Sequence, residues 1–475
     1  MKVLGIDFGT TSFGGCIYDT RDETTSYLNK HNPSHKTAGL KREFDMEKAR
    51  MGFYTFIESL HDTFGLSEIE AVSVTGNMHS FFLVRNGKPI TDITTWQDER
   101  VLEKYRDGLS YVDFINKAFS PFFSSYQHSV SSGYAVSTLL HLLNSADVLV
   151  EGSFAGCSIH FAPDFIVQEL IGNFSYTGDR AITDHSLAHS SGLYAIENRD
   201  WNHELIDALG YGPIRFPRIA EPGTFVGRVG RHVPALQGVP VFLGMGDNQA
   251  SVFGAMVQDD QTNRLSTTWD GSSAIVISMG TSGQVSAVVK SCEVISEFVD
   301  YRPFLDGALL LVGASLSCGK TMEAMKDFVQ NAADLICEEK LSDERAYGII
   351  TNCILPDSPL EFRTTLNGTR YRPDMRGSVN NIDLANLTME NLITAAAYGV
   401  VEELHQYYKE MHIDCDRIIG VGNGFRRNRF FVEIIKKVFD KNVYLSEIDE
   451  AASFGAAMCA VRGLLHGGLL SDEKK

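Results

Sequence analysis

The chain has 475 residues, 44 % hydrophobic and 21 % charged, and its 42 basic against 60 acidic side chains leave a formal net charge of −18. That length exceeds what one hydrophobic core fills, so two or three domains are expected. The acidic balance disfavours nucleic acid and anionic membranes as partners, and eight cysteines without a CxxC or Cys/His cluster argue against zinc or a disulfide framework and for a reducing compartment.

In chain order, Lys2–Ile6 reads as a buried strand. Asp7 follows where a signal peptide needs its apolar stretch, and no apolar run approaches the length of a membrane span; a soluble cytoplasmic protein, monomeric or homodimeric, is expected. Phe53, Ile57, Leu60 and Phe64 recur at helical spacing, with Gly65 as a C-cap, and Ala71–Thr75 is a second strand ending at Gly76. Val239–Leu243 is a strand running into Gly244-Met245-Gly246-Asp247. Towards the C-terminus, Arg417–Val421 reads as strand, Phe430–Phe439 as helix and Val443–Leu445 as strand, before a helix of small residues. Strands alternating with helices make an α/β chain.

Two internal echoes suggest one fold used twice. An apolar strand runs into a Gly-Thr-Ser turn in VLGIDFGTTS (3–12) and again in AIVISMGTSG (274–283). QASVFGAM (249–256) pairs with AASFGAAM (451–458), each a helix whose Gly and Ala permit close backbone packing. The boundary is then expected near 245–260, giving domains 1–247 and 248–475.

Several turns carry chemistry. In Asp7-Phe8-Gly9-Thr10-Thr11-Ser12 a strand delivers an acid, a glycine permits a tight turn and three hydroxyl residues follow. That pattern makes either an anion nest with an acid for Mg²⁺ or a plain polar hairpin turn. Gly280-Thr281-Ser282-Gly283 repeats it, and Gly420-Val421-Gly422-Asn423-Gly424 offers a third glycine-rich turn suited to a nucleotide. LLLVGASLSCGKT (309–321) imitates a P-loop, but five residues separate Gly313 from Gly319 where that motif has four, so Lys320 is read as a solvated side chain. Gly76-Asn77-Met78-His79 and Thr95-Trp96-Gln97-Asp98-Glu99-Arg100 provide an apolar face with donors and acceptors for a polyol; equally, Trp96 would be core and Asp98/Arg100 a surface pair. Asp247, between glycines and a helix, is a general base, a helix N-cap, or both.

In this order the motifs GIDFGTTS, TGNMH, TWQDER, IAEPGTFVGRV (219–229), GMGDNQASVFGAM, LVGASLSCG, TTLNGTRYRPDMRGSV (364–379) and GVGNGFRRN (420–428) resemble those of the FGGY carbohydrate kinases over nearly the whole chain. The resemblance implies two ribonuclease-H-like domains of the actin/hexokinase type, with an active-site cleft between them and ATP and Mg²⁺ as cofactors. It implies that Asp7 faces the metal and that Gly9, Thr10, Thr11 and Ser12 face the phosphates. It makes Gly280, Thr281, Gly313, Ser317, Gly422, Asn423 and Arg427 nucleotide neighbours. Met78, His79, Trp96, Asp247 and Asn248 would line the sugar site, with Asp247 as the base. The implied reaction is phosphorylation of a primary hydroxyl of a ketose. Within the family the resemblance points to sedoheptulose first, with xylulose, ribulose or glycerol as alternatives. The chain departs from the family pattern at Ser80, at Phe13-Gly14-Gly15, at Gly368-Thr369-Arg370 and at Ala188-His189-Ser190-Ser191-Gly192. An actin- or Hsp70-like ATPase and a sugar sensor without catalysis are the readings from other classes.

Overall fold

The computed structural model describes residues 1–145, 154–172, 181–259, 273–291, 295–336, 340–369, 372 and 374–466. It divides into two compact units, one of Met1–Asp270, Arg302–Ala308 and Glu450–Lys475, the other of Gly271–Tyr301 and Leu309–Asp449.

The first unit is built on strands β1 (Lys2–Phe8), β2 (Ser12–Asp19) and β3 (Thr24–His31), helix α1 (Met46–Phe64) and strand β4 (Ala71–Gly76). The short helix α2 (His185–Ser190), strand β5 (Pro240–Gly246) and helix α3 (Asp247–Asp259) follow. Its main sheet runs β3-β2-β1-β4-β5 in space, with β1 antiparallel to β2 and parallel to β4. The expected helix around Phe53–Phe64 is α1. Asp45 caps its start by accepting the Lys48 N–H at 3.0 Å, and Gly65, at φ 67°, ends it by donating to His61 O at 2.8 Å. Phe56 and Leu60 of α1 press on β2 at Gly15, where a Cβ would meet the Phe56 ring at 2.9 Å. Packing therefore explains one of the two glycines that follow Phe13.

The second unit contains β6 (Ala274–Met279), β7 (Gly283–Val289), β8 (Leu309–Ser315), α4 (Cys318–Asp334), α5 (Met389–Glu410), β9 (Arg417–Val421), α6 (Phe430–Phe439) and β10 (Asn442–Leu445). Its sheet repeats the order as β8-β7-β6-β9-β10, again with the first strand antiparallel to the second and parallel to the fourth. The echo between residues 3–12 and 274–283 is thus a duplicated ribonuclease-H-like sheet, each copy opening with a hairpin.

The chain is not cut at one point, as a boundary at 247 expects. Residues beyond 247 that form α3, together with the last helix, α7 (Ala451–Leu465), belong to the first unit. The cause is the small-residue pairing. A Cβ on Gly455 would lie 1.9 Å from Ala250 O, and one on Gly5 of β1 would lie 1.9 Å from Ser453 O. α7 therefore packs backbone to backbone on both α3 and β1, an approach open only to glycine.

Candidate active site

β1 delivers Asp7, then turns back at once into β2. Gly9 N–H donates to Ser12 O at 3.0 Å, and a Cβ on Gly9 would stand 2.8 Å from that oxygen. No residue of the turn has positive φ, so the backbone is a hairpin turn rather than the alternating-handed nest. The Thr10 hydroxyl donates to Asn77 Oδ1 at 2.7 Å and accepts from Trp96 Nε1 at 3.1 Å. Asp7 Oδ1 is buried without a hydrogen-bond partner. Burial, then the carboxylates of Asp247 and Glu450, hold Asp7 well above the usual carboxylate range. The orphaned Asp7 oxygen fits a single ligand to a hydrated divalent cation, which takes few direct protein ligands.

β4 ends at Gly76 against Phe8 O, and the chain continues through buried Met78 to His79. His79 is held at φ 63°, a left-handed conformation that is strained for a residue with a side chain. Its N–H donates to Ser190 Oγ at 2.9 Å, and its Nδ1 lies 2.7 Å from Ser190 O. A carbonyl only accepts, so the Nδ1 carries hydrogen. Tyr134 packs on this ring at 4.4 Å between centroids.

Trp96 is 48 % exposed and so is not a core residue. Asp98 and Arg100 are neither polyol ligands nor a surface pair. Both are buried: Arg100 bridges Asp98 at 2.7 and 2.8 Å and reaches Glu43 at 2.6 Å, while Asp98 Oδ2 also accepts the Arg42 N–H at 2.8 Å. This network locks the loop bearing Trp96 onto the strand Lys41–Phe44. A cavity of about 710 Å³ opens beside it, lined among others by Thr10, Thr11, His31, Arg42, Trp96 and Gln97.

Asp247 comes from the end of β5. That strand pairs with β4 in step through Leu243↔Val74, then slips one residue before Gly246↔Gly76. Gly244 allows the close passage, since its Cβ would fall 2.0 Å from Val74 O, and Gly246 clears Met78. Asp247 Oδ1 accepts the Asn248 N–H at 2.8 Å, one residue on, where an N-cap takes an N–H two or three residues on. Burial pushes its carboxyl up to about 6, against the opposing pull of the Asn248 N–H and the Arg302 guanidinium. Arg302 is itself buried and donates to Asn248 Oδ1 at 3.0 Å.

In the second unit, exposed Gly280 and Thr281 end β6, and the exposed Gly422-Asn423 turn ends β9 beside them. Gly422 adopts φ 96°, and a Cβ there would sit 2.7 Å from Met279 O. These four expected nucleotide neighbours come together at the carboxyl ends of parallel strands, where α/β sheets bind ligands. Gly313 has a packing reason of its own, a Cβ there meeting Tyr407 at 2.2 Å, and Ser317 is buried with its hydroxyl 3.4 Å from the Asn367 N–H. Arg427 ends the short helix Asn423–Arg427; its side chain, like Arg370, lies outside the described residues. The P-loop imitation is excluded structurally, because the Gly319 and Lys320 N–H groups donate to Gly280 O and Thr281 O at 3.0 and 3.2 Å.

Sequence reasoning missed Tyr134, Arg302 and the serines of α2. Ser190 lies in the Ala188–Gly192 segment, visible beforehand only as a departure from the family pattern; for Arg302 no local signal exists.

No helix among the described residues is long and apolar enough to cross a membrane. Among those residues, no group of three or more His, Cys, Asp or Glu is placed to hold a metal ion. The structure resembles the gluconate kinase of Lactobacillus acidophilus, with a TM-score of 0.80 at 18 % identity, covering 98 % of this chain and 89 % of that one. It also resembles the Plasmodium falciparum glycerol kinase with ADP, with a TM-score of 0.75 at 18 % identity, covering 98 % and 90 %. In sequence, the sedoheptulokinase of Mus musculus is 25 % identical over 96 % of both chains. The xylulose kinase of Staphylococcus xylosus is 23 % identical over 97 % of this chain and 90 % of its own. The family models for the N-terminal and C-terminal domains of FGGY carbohydrate kinases match residues 2–254 and 275–464. With both domain types present in order, the chain belongs to the FGGY family of carbohydrate kinases and is an ATP-dependent sugar kinase.

Proposed function

We propose that this kinase transfers the γ-phosphoryl group of ATP to a primary hydroxyl of a ketose, sedoheptulose yielding sedoheptulose 7-phosphate, with Asp247 as general base. The observation carrying this reading is the setting of Asp247. A carboxyl pushed up to about 6 is ionised at neutral pH yet basic enough to take a proton in the transition state. Phosphoryl transfer passes through a loose transition state, so orientation and charge neutralisation dominate. Asn248, held by Arg302, and the strained His79 orient the sugar, with Met78 and the exposed Trp96 as its apolar walls. Asp7 would hold hydrated Mg²⁺, next to the phosphate-facing Gly9, Thr10, Thr11 and Ser12. Bound Mg²⁺ supplies neutralisation of phosphate charge. Gly280, Thr281, Gly313, Ser317, Gly422, Asn423 and Arg427 would neighbour the nucleotide.

Sedoheptulose is favoured by the full-length similarity to the mouse and human sedoheptulokinases. The test is coupled ADP release with sedoheptulose, xylulose, ribulose, fructose, gluconate and glycerol. Sedoheptulose is expected to give the highest kcat/KM, because polar groups left unpaired by a shorter substrate penalise it strongly. Xylulose ahead by about tenfold or more would reassign the substrate and leave the kinase assignment standing.

A further inference from the structure

The serines of α2, Ser186 and Ser190, stand four residues apart and so share one helix face. They reach two different parts of the site. Ser190 holds His79 twice, accepting its backbone N–H at 2.9 Å on Oγ and its ring Nδ1–H at 2.7 Å on the carbonyl. Ser186 Oγ accepts the N–H of Gly246 at 2.7 Å, one residue before Asp247.

Gly246 lies at the slip between β5 and β4, where its N–H turns to a side chain instead of the sheet. Met245 O is handled the same way, accepting the Thr75 hydroxyl at 2.5 Å. Side-chain hydroxyls therefore hold the backbone on both sides of this peptide. The Ser186 hydroxyl has no rotational choice. Its proton goes to Asp184 Oδ2 at 2.6 Å, and the same carboxylate accepts the Ser186 and Leu187 N–H groups at 2.7 and 3.1 Å. A hydroxyl whose only proton is committed to a carboxylate presents a lone pair elsewhere, here to Gly246. Asp184 and Ser186 are both buried, so water does not substitute for either.

We infer that α2 is a positioning bracket. The Asp184–Ser186 pair sets the backbone from which Asp247 projects, Ser190 sets the ring of His79, and one short helix thereby fixes the spacing between the base and the His79 ring. The inference rests on the reading of Asp247 as base. Asp184, Ser186 and Ser190 act through other residues and touch no substrate themselves.

The test is a kinetic cycle on the full-length enzyme with ATP, Mg²⁺ and its best sugar. Ser186→Ala is expected to lower kcat about ten- to a hundredfold, the scale of a sub-ångström to 1 Å misplacement, with both KM values nearly unchanged. Ser186→Thr, which keeps the hydroxyl, is expected to restore most of kcat. In an Asp247→Asn background, Ser186→Ala should cost nothing further, because residues acting through one group are not additive. Ser190→Ala should instead raise the sugar KM more than it lowers kcat. Should Ser186→Ala fail to fold, Thr75→Val removes the companion hydroxyl at near-constant volume and carries the same expectation. Wild-type kcat in a folded Ser186→Ala enzyme overturns the bracket, as does an equal loss in the Asp247→Asn background. Wild-type kcat in Asp247→Asn alone overturns the base, and the bracket with it.

Discussion

Replacing Asp247 by Asn separates chemistry from stability in a way the structure makes quantitative. Asn keeps the shape and can still accept the Asn248 N–H, bonded at 2.8 Å in the wild type, so the local fold should persist. It cannot take up a proton, and losing a general base costs about a hundred- to ten-thousandfold in kcat. Stability should move the other way. The Asp247 carboxyl rises from an ordinary 3.8 to about 6 on folding, so the folded chain binds that proton more tightly than the unfolded one. Its contribution is complete below about pH 4 and is lost as pH rises through about 6, to a limit of about 3 kcal/mol. Asn escapes that loss. The variant should therefore melt a few degrees above wild type at pH 7.5 and level with it near pH 4, in buffer without Mg²⁺ or nucleotide. Thermal melts at the two pH values and coupled ADP release measure both halves. A folded variant with wild-type kcat would falsify the assignment of the base. A variant melting well below wild type at pH 7.5 would show that the carboxylate stabilises the helix start instead.

Asp7→Asn should reduce turnover and raise the Mg²⁺ concentration needed for half-maximal rate while leaving the sugar KM nearly unchanged; an unaltered Mg²⁺ titration would make Asp7 a turn residue only. Gly455→Ala should destabilise the first unit by about 2 kcal/mol or more through overpacking, since its Cβ would lie 1.9 Å from Ala250 O. Gly348→Ala, inside the helix Asp343–Cys353 with nothing within 4 Å, should stabilise by up to about 1 kcal/mol; denaturant titration of the pair checks both signs. Trp96→Phe keeps a ring but loses the bond to Thr10, and should raise the sugar KM less than Trp96→Ala does; equal effects would mean that the indole face contributes nothing to the sugar wall.

What could be read in the sequence beforehand depends on how local its cause is. The strand at Ala71–Gly76, the helix Phe430–Phe439 and the cap at Gly65 follow from runs, spacing and a single glycine, and the structure has them at those positions. Asp7, Trp96 and Asp247 stand at strand ends or in polar loops, where their types already suggest chemistry. Features made by distant residues stay hidden. Asp98 and Arg100 look like a surface pair until Glu43 and the Arg42 N–H close a buried network around them. The return of α7 to α3 and β1 depends on backbone contacts between residues some 200 or more positions apart. The brace on Gly246 comes from Ser186, 60 residues upstream, and no periodicity announces it.

Sugar-dependent ADP release tests the central claim most directly. With MgATP alone the enzyme should release ADP slowly, and adding a ketose, sedoheptulose above all, should raise the rate many-fold with one sugar phosphate formed per ADP. ATP hydrolysis at the same rate with and without sugar, or ADP release that leaves no phosphorylated sugar, would contradict the account.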